Sequence, residues 1–408
     1  MIPRLRPPFT AGEVVTTFRT GTFQDIAAFE TAFGELFGFP RGLYFPYGRA
    51  ALYVLLRVLG WTEREIVIPA YTCAVVSHAV VLTGNRPRFG DCSPHHFNMP
   101  ADHLAAQVSD RTAMIIPTPV FGYPVDEAEY ARVLTEQAPG AFVLFDAAHS
   151  FALPPKSSPL FHRPDAALFG LGLGKIMSTL YGGMLLLRDR DLHREVQAYR
   201  DGHFQVARPA AEYRRLVYRL VYGLAAWAAF REPWLTPVDY LEQKTSLLNC
   251  FTKQYYGLTG PSLPDDMTTR PPQFQAGLGL SQLAKYDKII AERRRLSRHY
   301  ARLLQADGFG IFDHQVEPTY SHFPLRVAQR TGVLQELQRR GIQAGRLIDY
   351  ACPDLPGYEA FQGSCPNASR LARSLINLPN WPGLGLHRVE RVVTALIKIR
   401  QKFPEYFL

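Results

Sequence analysis

One carboxylate and one amine stand out in this chain, each placed just after a short apolar segment. Asp146 follows Ala141-Phe-Val-Leu-Phe145, a run whose length and composition predict a buried β-strand. A buried carboxylate costs free energy unless a cation or hydrogen-bond donors lie beside it. Asp146 is therefore predicted to meet a cation at the strand end, or else to cap a loop there.

Lys175 stands 29 residues further on, in the apolar, glycine-lined segment Phe169-Gly-Leu-Gly-Leu-Gly-Lys175. Burial disfavours the charged form of an amine and lowers its pKa, and the neutral amine is the form that makes Schiff bases with carbonyl compounds. Once freed, the same amine can carry a proton between substrate atoms. The alternative is a lysine in a surface turn. A nucleotide P-loop is excluded, because that motif needs Gly at position 169 and Ser or Thr at position 176, which are Phe and Ile.

The two residues together fit pyridoxal 5'-phosphate (PLP), held as a Schiff base on Lys175 with Asp146 paired to the protonated pyridine nitrogen. That pairing keeps the pyridine ring protonated, and the protonated ring acts as an electron sink for the carbanion formed in catalysis. Gly48, Arg49 and Ala50 open a predicted helix. Free amides at a helix start suit the cofactor phosphate; the alternative is a plain helix start.

Two aromatic side chains are candidates for contact with the cofactor ring. Tyr71 follows a predicted strand and would stack on the ring, or else lie in the core. His149 belongs to the run Asp146-Ala-Ala-His149 and would lie over or beside the ring. The alternative is a histidine at a strand end whose hydrogen bonds are satisfied there.

Short apolar segments alternate with helical patterns through the first half of the chain. The predicted strands are 65–69, 86–90, 113–117, 141–145, 165–169 and 183–187, and the predicted helices are 49–59, 72–82 and 127–134. This alternation predicts an α/β fold, with a mixed, mostly parallel sheet sandwiched by helices. In such sheets ligand-binding groups collect beyond the strand ends.

The pattern changes after about residue 190. An atypical helical insert rich in aromatic residues is predicted at about 191–258, then an irregular segment, one long helix or two in series from 275 to 304, a strand at 322–327 and helices at 332–340 and 388–400. The expected domains are a large PLP-binding domain, 1–260, and a long linking helix with a small C-terminal α+β domain, 261–408.

The composition is that of a globular protein, with 47% apolar residues, 20% charged residues and a net charge of +9. The basic residues are scattered, which suits phosphate-bearing small molecules, and no nucleic-acid-binding module is attached. Five cysteines without a Cys-x-x-Cys pair argue against a disulfide framework and a zinc site, so no metal is expected. A signal peptide and a run of ~18–20 apolar residues are both lacking, so a cytoplasmic location is expected.

The order and spacing of these motifs resemble the DegT/DnrJ/StrS family of PLP-dependent aminotransferases, best known for making amino sugars from nucleotide-linked keto sugars. The matching stretches, within roughly 40–190 and 265–400, are Tyr47-Gly-Arg-Ala-Ala-Leu52, Ile68-Pro-Ala-Tyr-Thr72, Phe121-Gly-Tyr-Pro124, Phe145-Asp-Ala-Ala-His149, Thr179-Leu-Tyr-Gly-Gly-Met184, Gln275–Leu283 and Ile376–Pro382. The resemblance implies the fold-type-I aminotransferase fold, a homodimer with the active site at the subunit interface, and the cofactor roles given above.

The chain departs from the family pattern around the phosphate. Gly170 stands where the family usually has Ser, and Thr268 where it usually has an Asn that reaches the phosphate of the partner subunit. Arg49 replaces the usual Thr. We hypothesise that Arg49 or another cation makes up for the lost donors, since a charged donor binds phosphate more strongly than a neutral one. Leu180-Tyr181 stands where the family has a Glu between the Thr and the Gly-Gly, which indicates that the substrate side of the active site is unusual.

The resemblance implies transfer of an amino group from an amino acid donor, glutamate in the family, to a nucleotide-linked keto sugar. A second interpretation keeps PLP and replaces the acceptor by a lipid-linked, amino-acid or natural-product ketone. A third makes the chain a non-catalytic PLP-binding regulator or partner subunit, against which the intact Asp146 and Lys175 weigh. Lys175 also argues against the family's sugar dehydratases, which carry His there.

The apolar stretch within residues 211–235 has two interpretations of its own. It is too short to span a bilayer. We expect a buried or dimer-interface helix, with contact to a membrane surface as the alternative.

Overall fold

A seven-stranded sheet runs through the centre of the computed structural model, which describes residues 1–20, 23–160, 162, 164–205, 209–231, 234, 235, 237, 238, 260–361 and 363–408. Its strands are β1 (Gly42–Phe45), β2 (Glu65–Pro69), β3 (Arg86–Gly90), β4 (Thr112–Ile115), β5 (Phe142–Asp146), β6 (Ala166–Gly170) and β7 (Gly183–Leu187). They lie in the order β1-β7-β6-β5-β4-β2-β3. Strand β7 is antiparallel to both neighbours and the other pairs are parallel, which confirms the predicted sheet.

Helices cover both faces of this sheet. They are α1 (Ala11–Thr20), α2 (Phe23–Leu36), α3 (Gly48–Val58), α4 (Ala74–Leu82), α5 (Ala101–Ala105), α6 (Glu127–Glu136), α7 (Arg190–His203), α8 (Pro209–Ala229), α9 (Gln273–Leu283), α10 (Tyr286–Ala306), α11 (Arg330–Arg339), α12 (Pro366–Ser374) and α13 (Leu386–Lys402). A two-stranded antiparallel sheet, β8 (Phe323–Arg326) with β9 (Leu375–Leu378), completes the fold.

Alternate side chains of the central strands enter different apolar clusters. In β6, Ala166 and Leu168 pack in the cluster that includes α3 and α4, whereas Ala167 and Phe169 pack in the cluster that includes α2. Successive side chains of a strand point to opposite faces of the sheet. Because both faces are covered, these strands are apolar throughout rather than alternating in polarity, and this explains why short apolar runs predicted them well.

The strand predictions agree with the structure to within two residues at each end. Helix α3 ends where Gly60 follows with a φ of +67°, as the glycine had predicted. Helix α4 begins at Ala74 rather than at the predicted Thr72, because Cys73 is extended, with φ −70° and ψ 124°. The segment predicted as one long helix or two is two helices, α9 and α10, which meet at Ala284 and Lys285.

The elements near the N-terminus were not predicted. Strand β1 is only four residues long, and its pairing with β7 at the sheet edge defines it. Helix α2 does carry a helical signal, because Phe29 and Phe33 stand four residues apart and are both buried. Strand β9 is also defined by its pairing, with β8.

The C-terminal elements share one apolar cluster with a face of the large sheet. This cluster joins Ile66 and Leu185 of the sheet to Leu325, Ile376 and Val389. A division at residue 260 stays a prediction, and residues 239–259 of the insert lie outside the described residues. No helix among the described residues is long and apolar enough to cross a membrane.

Candidate active site beyond the ends of the parallel strands

Asp146 and Lys175 meet where β5 and β6 end. Asp146 is buried, its N–H donates to the carbonyl of Pro117 at 2.9 Å, and its Oδ1 accepts from the N–H of Ala148 at 3.0 Å. Burial raises the pKa of Asp146, while the Ala148 hydrogen bond and the charge of Lys175 act in the opposite direction. Burial lowers the pKa of Lys175, against the effects of Cys73 and Asp146. The site therefore holds an amine with a lowered pKa that interacts with a buried carboxylate.

Two glycines leave space around this lysine. A Cβ on Gly170 would lie 3.2 Å from Cε of Lys175 and 3.5 Å from Cβ of Ala148, and a Cβ on Gly48 would lie 3.5 Å from the carbonyl oxygen of Phe169. The start of α3, the end of β6 and the lysine are thus adjacent. A side chain at position 170 would therefore crowd Lys175, which would have to shift by a few tenths of an ångström.

Arg49 lies on the α4 side of the α3 start. Its side chain is buried, and its guanidinium carbon lies 5.7 Å from the centre of the Tyr47 ring. Burial, and then the charge of Arg49, lower the pKa of His78 in α4 to about 4. Ala50 is fully buried in an apolar cluster beside it. Contact of Arg49 with a phosphate stays a prediction.

Tyr71 and His149 both lie near Phe121. The Tyr71 hydroxyl donates to the carbonyl of Ile348 at 3.0 Å, and its ring centre lies 6.3 Å from that of Phe121. Nδ1 of His149 accepts from the N–H of Phe121 at 3.4 Å, and the two rings are stacked 6.0 Å apart. Burial, Lys175 and His322 hold the pKa of His149 well below its usual value. A neutral His149 thus lies close to Lys175, whereas Tyr71 anchors the C-terminal part of the chain.

Thr268 lies in a segment that contacts the start of α3. Asp266 accepts a hydrogen bond from the hydroxyl of Tyr47 at 2.8 Å. The carbonyl of Thr268 accepts from the N–H of Gln205 at 2.9 Å, and the residue itself is exposed. The structure therefore brings this segment to the α3 start without enclosing Thr268, whose role toward a partner's phosphate stays a prediction.

The turn at residues 179–181 connects the predicted insert with the site. Nε2 of Gln275 donates to the carbonyls of Tyr181, at 2.9 Å, and Thr179. The hydroxyl of Tyr44 donates to Oγ1 of Thr179 at 2.8 Å. The ring of Tyr222, in α8, stacks on Tyr181 at 5.1 Å. The α8 part of the insert thus packs against the residue that replaces the family's Glu.

Strained backbone accumulates in the segments around the lysine. Phe121, Phe151, Leu180 and Tyr320 have φ values of 55°, 45°, 71° and 50°. Each non-glycine residue in this region costs about 1–3 kcal/mol, and such residues cluster at active sites. Phe121 is held there by its hydrogen bond to His149. This observation agrees with a functional site at the same end of the sheet.

His322 is a site residue that the motifs did not identify. Its ring lies 6.3 Å from that of His149, and it lines a small cavity together with Lys175. Burial, followed by the charges of Arg293, Lys175 and Arg4, lowers the pKa of His322 to about 3. The sequence only placed His322 at the start of a strand, 147 residues from Lys175, and no local signal connected the two.

Cys73 is a second residue that the motifs missed. It is partly exposed, and it acts on the pKa of Lys175. Its position immediately after Tyr71 and Thr72, a stretch that already contained a candidate site residue, could have indicated that it lies at the site. Among the described residues, no group of three or more His, Cys, Asp or Glu side chains is placed to hold a metal ion.

The sheet order, its antiparallel β7, and a lysine beyond β6 facing an aspartate at the end of β5 define the fold-type-I aminotransferase architecture. The model of the DegT/DnrJ/EryC1/StrS aminotransferase family matches residues 12–222 and 252–397. The chain belongs to this family of PLP-dependent aminotransferases and is itself an aminotransferase.

Individual relatives are distant but cover the chain almost completely. The chain is 23% identical over 395 residues to a GDP-perosamine synthase of Caulobacter vibrioides, covering 94% of this chain and 92% of that protein. The aminotransferase TlmJ of Streptoalloteichus hindustanus is similar with a TM-score of 0.75 at 20% identity, covering 99% of this chain and 100% of that one. The PLP form of Spr1654 from Streptococcus pneumoniae, a sugar aminotransferase by its description, is similar with a TM-score of 0.74 at 20% identity, covering 98% of this chain and 99% of that one. The solved structures confirm the fold.

Proposed function

We propose that this enzyme binds PLP at Lys175 and transfers an amino group from an amino acid, glutamate, to a nucleotide-linked keto sugar. The observation that carries the proposal is the position of Lys175, which lies against Gly170 at the end of β6, next to the strand β5 that ends on buried Asp146. The acceptor class is supported by the relative described as a GDP-perosamine synthase. Family membership supports the cofactor.

The residues around Lys175 fit PLP. A buried carboxylate, Asp146, is available for the ring nitrogen, and Gly170 leaves a space beside the lysine that a Cβ would narrow. The start of α3 offers free N–H groups and the positive end of a helix dipole to a phosphate. When bound, PLP supplies an electron sink for the carbon that loses its proton.

The side chains of the chain itself would then have separate tasks. Asp146 would hold the proton on the ring nitrogen, because a buried carboxylate favours a cation beside it. Nζ of Lys175, with its pKa lowered by burial, would move the proton at the reacting carbon. His149 is neutral because its pKa lies well below the usual value, so it would offer a ring surface and a hydrogen bond without adding charge.

Half-reaction spectroscopy tests this proposal. Glutamate added to the purified PLP form should remove the visible absorbance of the cofactor, because the amino group is transferred to it. A panel of keto acceptors added to that aminated form should restore the absorbance, and nucleotide-linked keto sugars should do so fastest. PLP binding without any change on addition of amino acids would contradict aminotransfer and favour a non-catalytic role.

A different acceptor is the second candidate, because of one contact. Tyr181, which replaces the family's Glu, stacks on Tyr222 of α8 at 5.1 Å. The aromatic pair replaces a charged hydrogen-bond acceptor by ring surface, and the loss of that acceptor suits an apolar keto substrate such as a lipid-linked or natural-product ketone. Restoration of the absorbance by such ketones, but not by nucleotide-linked sugars, would favour this alternative.

We propose a homodimer as the functional form. Tyr218 and Val221 of α8 are 49% and 58% exposed, which suits an interface helix better than a solvated one. Val221→Glu should therefore increase the monomer fraction in sedimentation experiments. An unchanged monomer fraction would show that α8 is not part of the dimer interface. Association of α8 with anionic vesicles at low salt would support the membrane alternative instead. The cytoplasmic location stays a prediction.

A further inference from the structure

Three residues with positive φ lie in segments close to His149. The φ values of Phe121, Phe151 and Tyr320 are 55°, 45° and 50°. Non-glycine residues rarely adopt such values, and they keep them only where the surrounding structure holds them. These segments are far apart in the sequence, so contacts between them must hold the three turns in place.

Thr319 makes those contacts. Its hydroxyl donates to the carbonyl of Ser150 at 2.7 Å, and its N–H donates to the carbonyl of Gly122 at 3.1 Å. Thr319 and Ser150 are both buried, although they stand 169 residues apart in the sequence. A single residue, directly before Tyr320, thus joins the two other turns.

The junction is closely packed on the side of Gly122. A Cβ on this glycine would collide with Oγ1 of Thr319 and would lie 3.1 Å from the backbone nitrogen of Tyr320. Gly122 has a φ of 86°, a conformation that favours glycine. The turn formed by Phe121 and Gly122 therefore lies directly against Thr319, and its direction depends on that contact.

The same turn determines which ring nitrogen of His149 carries the proton. The N–H of Phe121 donates to Nδ1 of His149 at 3.4 Å, and the two rings are stacked 6.0 Å apart. Burial holds the pKa of His149 well below its usual value, so the ring is neutral. A neutral imidazole has one donor and one acceptor nitrogen. Because Nδ1 accepts, the proton lies on Nε2, which becomes the donor.

We infer that Thr319 is a positioning residue for aminotransfer, because it holds the turn whose N–H keeps His149 in its Nε2-protonated form. This inference rests on the proposed aminotransfer at Lys175. A donor that is already oriented needs no rearrangement when a bound group accepts its hydrogen bond. Thr319 acts through His149, since its own hydroxyl donates to Ser150.

Nitrogen-15 NMR of the full-length protein, labelled in its histidines, tests this inference with and without PLP. The signals of His149 are those that disappear in His149→Gln. In the wild type, Nε2 should resonate as a protonated nitrogen and Nδ1 as an unprotonated one. Thr319→Val removes the hydroxyl and nearly keeps the shape, so the two shifts should converge as both tautomers become populated. Thr319→Ser retains the hydroxyl and should restore the wild-type shifts.

The half-reaction with glutamate should separate the same variants. Thr319→Val should lower its limiting rate about 10- to 100-fold, as expected when a group at the site is slightly misplaced. The glutamate concentration at half-saturation should change little, and Thr319→Ser should recover most of the rate.

Thr83→Val is the matched control. Thr83 is also buried, and its hydroxyl donates to the carbonyls of Ala79, at 3.0 Å, and Val80, at 2.8 Å. It lies just before the start of β3, whereas the site lies beyond the strand ends. Thr83→Val should therefore change neither the shifts of His149 nor the rate.

Circular dichroism and the unfolding midpoint verify that each variant is folded. A protonated Nδ1 of His149 in the wild type would overturn the inference without any variant. Unchanged shifts in folded Thr319→Val, or a loss of rate that Thr319→Ser does not recover, would also overturn it and leave the proposed function standing. Converged shifts in Thr319→Val, in a protein whose PLP no amino acid alters, would support the positioning of His149 and refute the proposed function.

Discussion

The active site consists of two halves that the chain assembles in different ways. The strand-end half contains Asp146, Gly170 and Lys175, which lie at or just beyond the ends of adjacent strands and within 30 residues of each other. The terminal half contains Arg4 and His322, which stand 318 residues apart in the sequence and line the same cavity as Lys175. The first half can be recognised from local motifs, whereas the second exists only because the chain ends pack together. We expect the first to govern chemistry and the second, through Arg293 and His322, to govern stability.

The largest effect should come from removing the amine. Lys175→Ala is expected to lower aminotransfer at least about 1,000-fold, since a positioned proton carrier contributes ~10²–10⁴ and covalent attachment is lost as well. Steady-state rates with glutamate and an accepted keto substrate measure this effect. Lys156→Ala, which changes an exposed lysine, is the control. Activity of Lys175→Ala within tenfold of the wild type would refute the role of the strand-end half.

Asp146→Asn should have the next largest effect. Truncating one member of a buried charge pair costs about 2–5 kcal/mol, which corresponds to a rate loss of roughly 30- to 5,000-fold. The pKa of Lys175 should fall further, because Asp146 raises it, and the rate profile should shift to lower pH. Asp191→Asn, on the exposed surface of α7, is the matched control. An unshifted profile would show that the two groups are not coupled.

In the terminal half, Arg293 should control stability rather than chemistry. It is buried, its pKa is lowered by burial to about 10, and it donates to the carbonyls of Tyr320, Ser321 and Asn380. Arg293→Met should lower the free energy of unfolding by about 3 kcal/mol, because buried carbonyls lose their donor.

Denaturant unfolding measures this difference in stability. The control is Arg295→Met, two residues further along the same helix. Arg295 pairs only with Glu292 among the described residues, so its loss should change the free energy of unfolding by no more than about 0.5 kcal/mol. Equal effects of the two substitutions would mean that the hydrogen bonds of Arg293 do not stabilise the terminal half.

The smallest effect concerns acid stability. The pKa of His322 is about 3 in the folded chain and 6.5 in its unperturbed state, so the unfolded chain binds one more proton between these values. Stability therefore decreases as the pH falls through this window. His322→Gln cannot take up that proton, and the acid limb should become shallower by up to about 1.4 kcal/mol per pH unit.

Unfolding measured between about pH 5 and 6.5 tests this expectation. The control, His95→Gln, replaces an exposed histidine and should leave the slope unchanged. If His322→Gln also leaves the slope unchanged, the pKa of His322 is not lowered in the folded chain.

The sequence by itself determined the strand-end half and the sheet that carries it. Apolar runs of strand length, followed by Asp146 or by the glycine-lined Lys175, are local patterns, and parallel strands bring their ends together whatever follows them. The helix start at Gly48 was predicted for the same reason. The local turn and strand signals were strong enough to predict these elements, because strands that are buried on both faces are apolar throughout.

Only the tertiary structure decided the terminal half. Arg4 appeared to be one of many scattered cations, and His322 one residue of a short strand, because their meeting depends on contacts between residues more than 300 positions apart. Strand β1 was missed for the same reason, since its pairing with β7 defines it. Hydrogen bonds and burial between distant segments leave no periodic trace in the sequence, and they decide which charges surround the lysine.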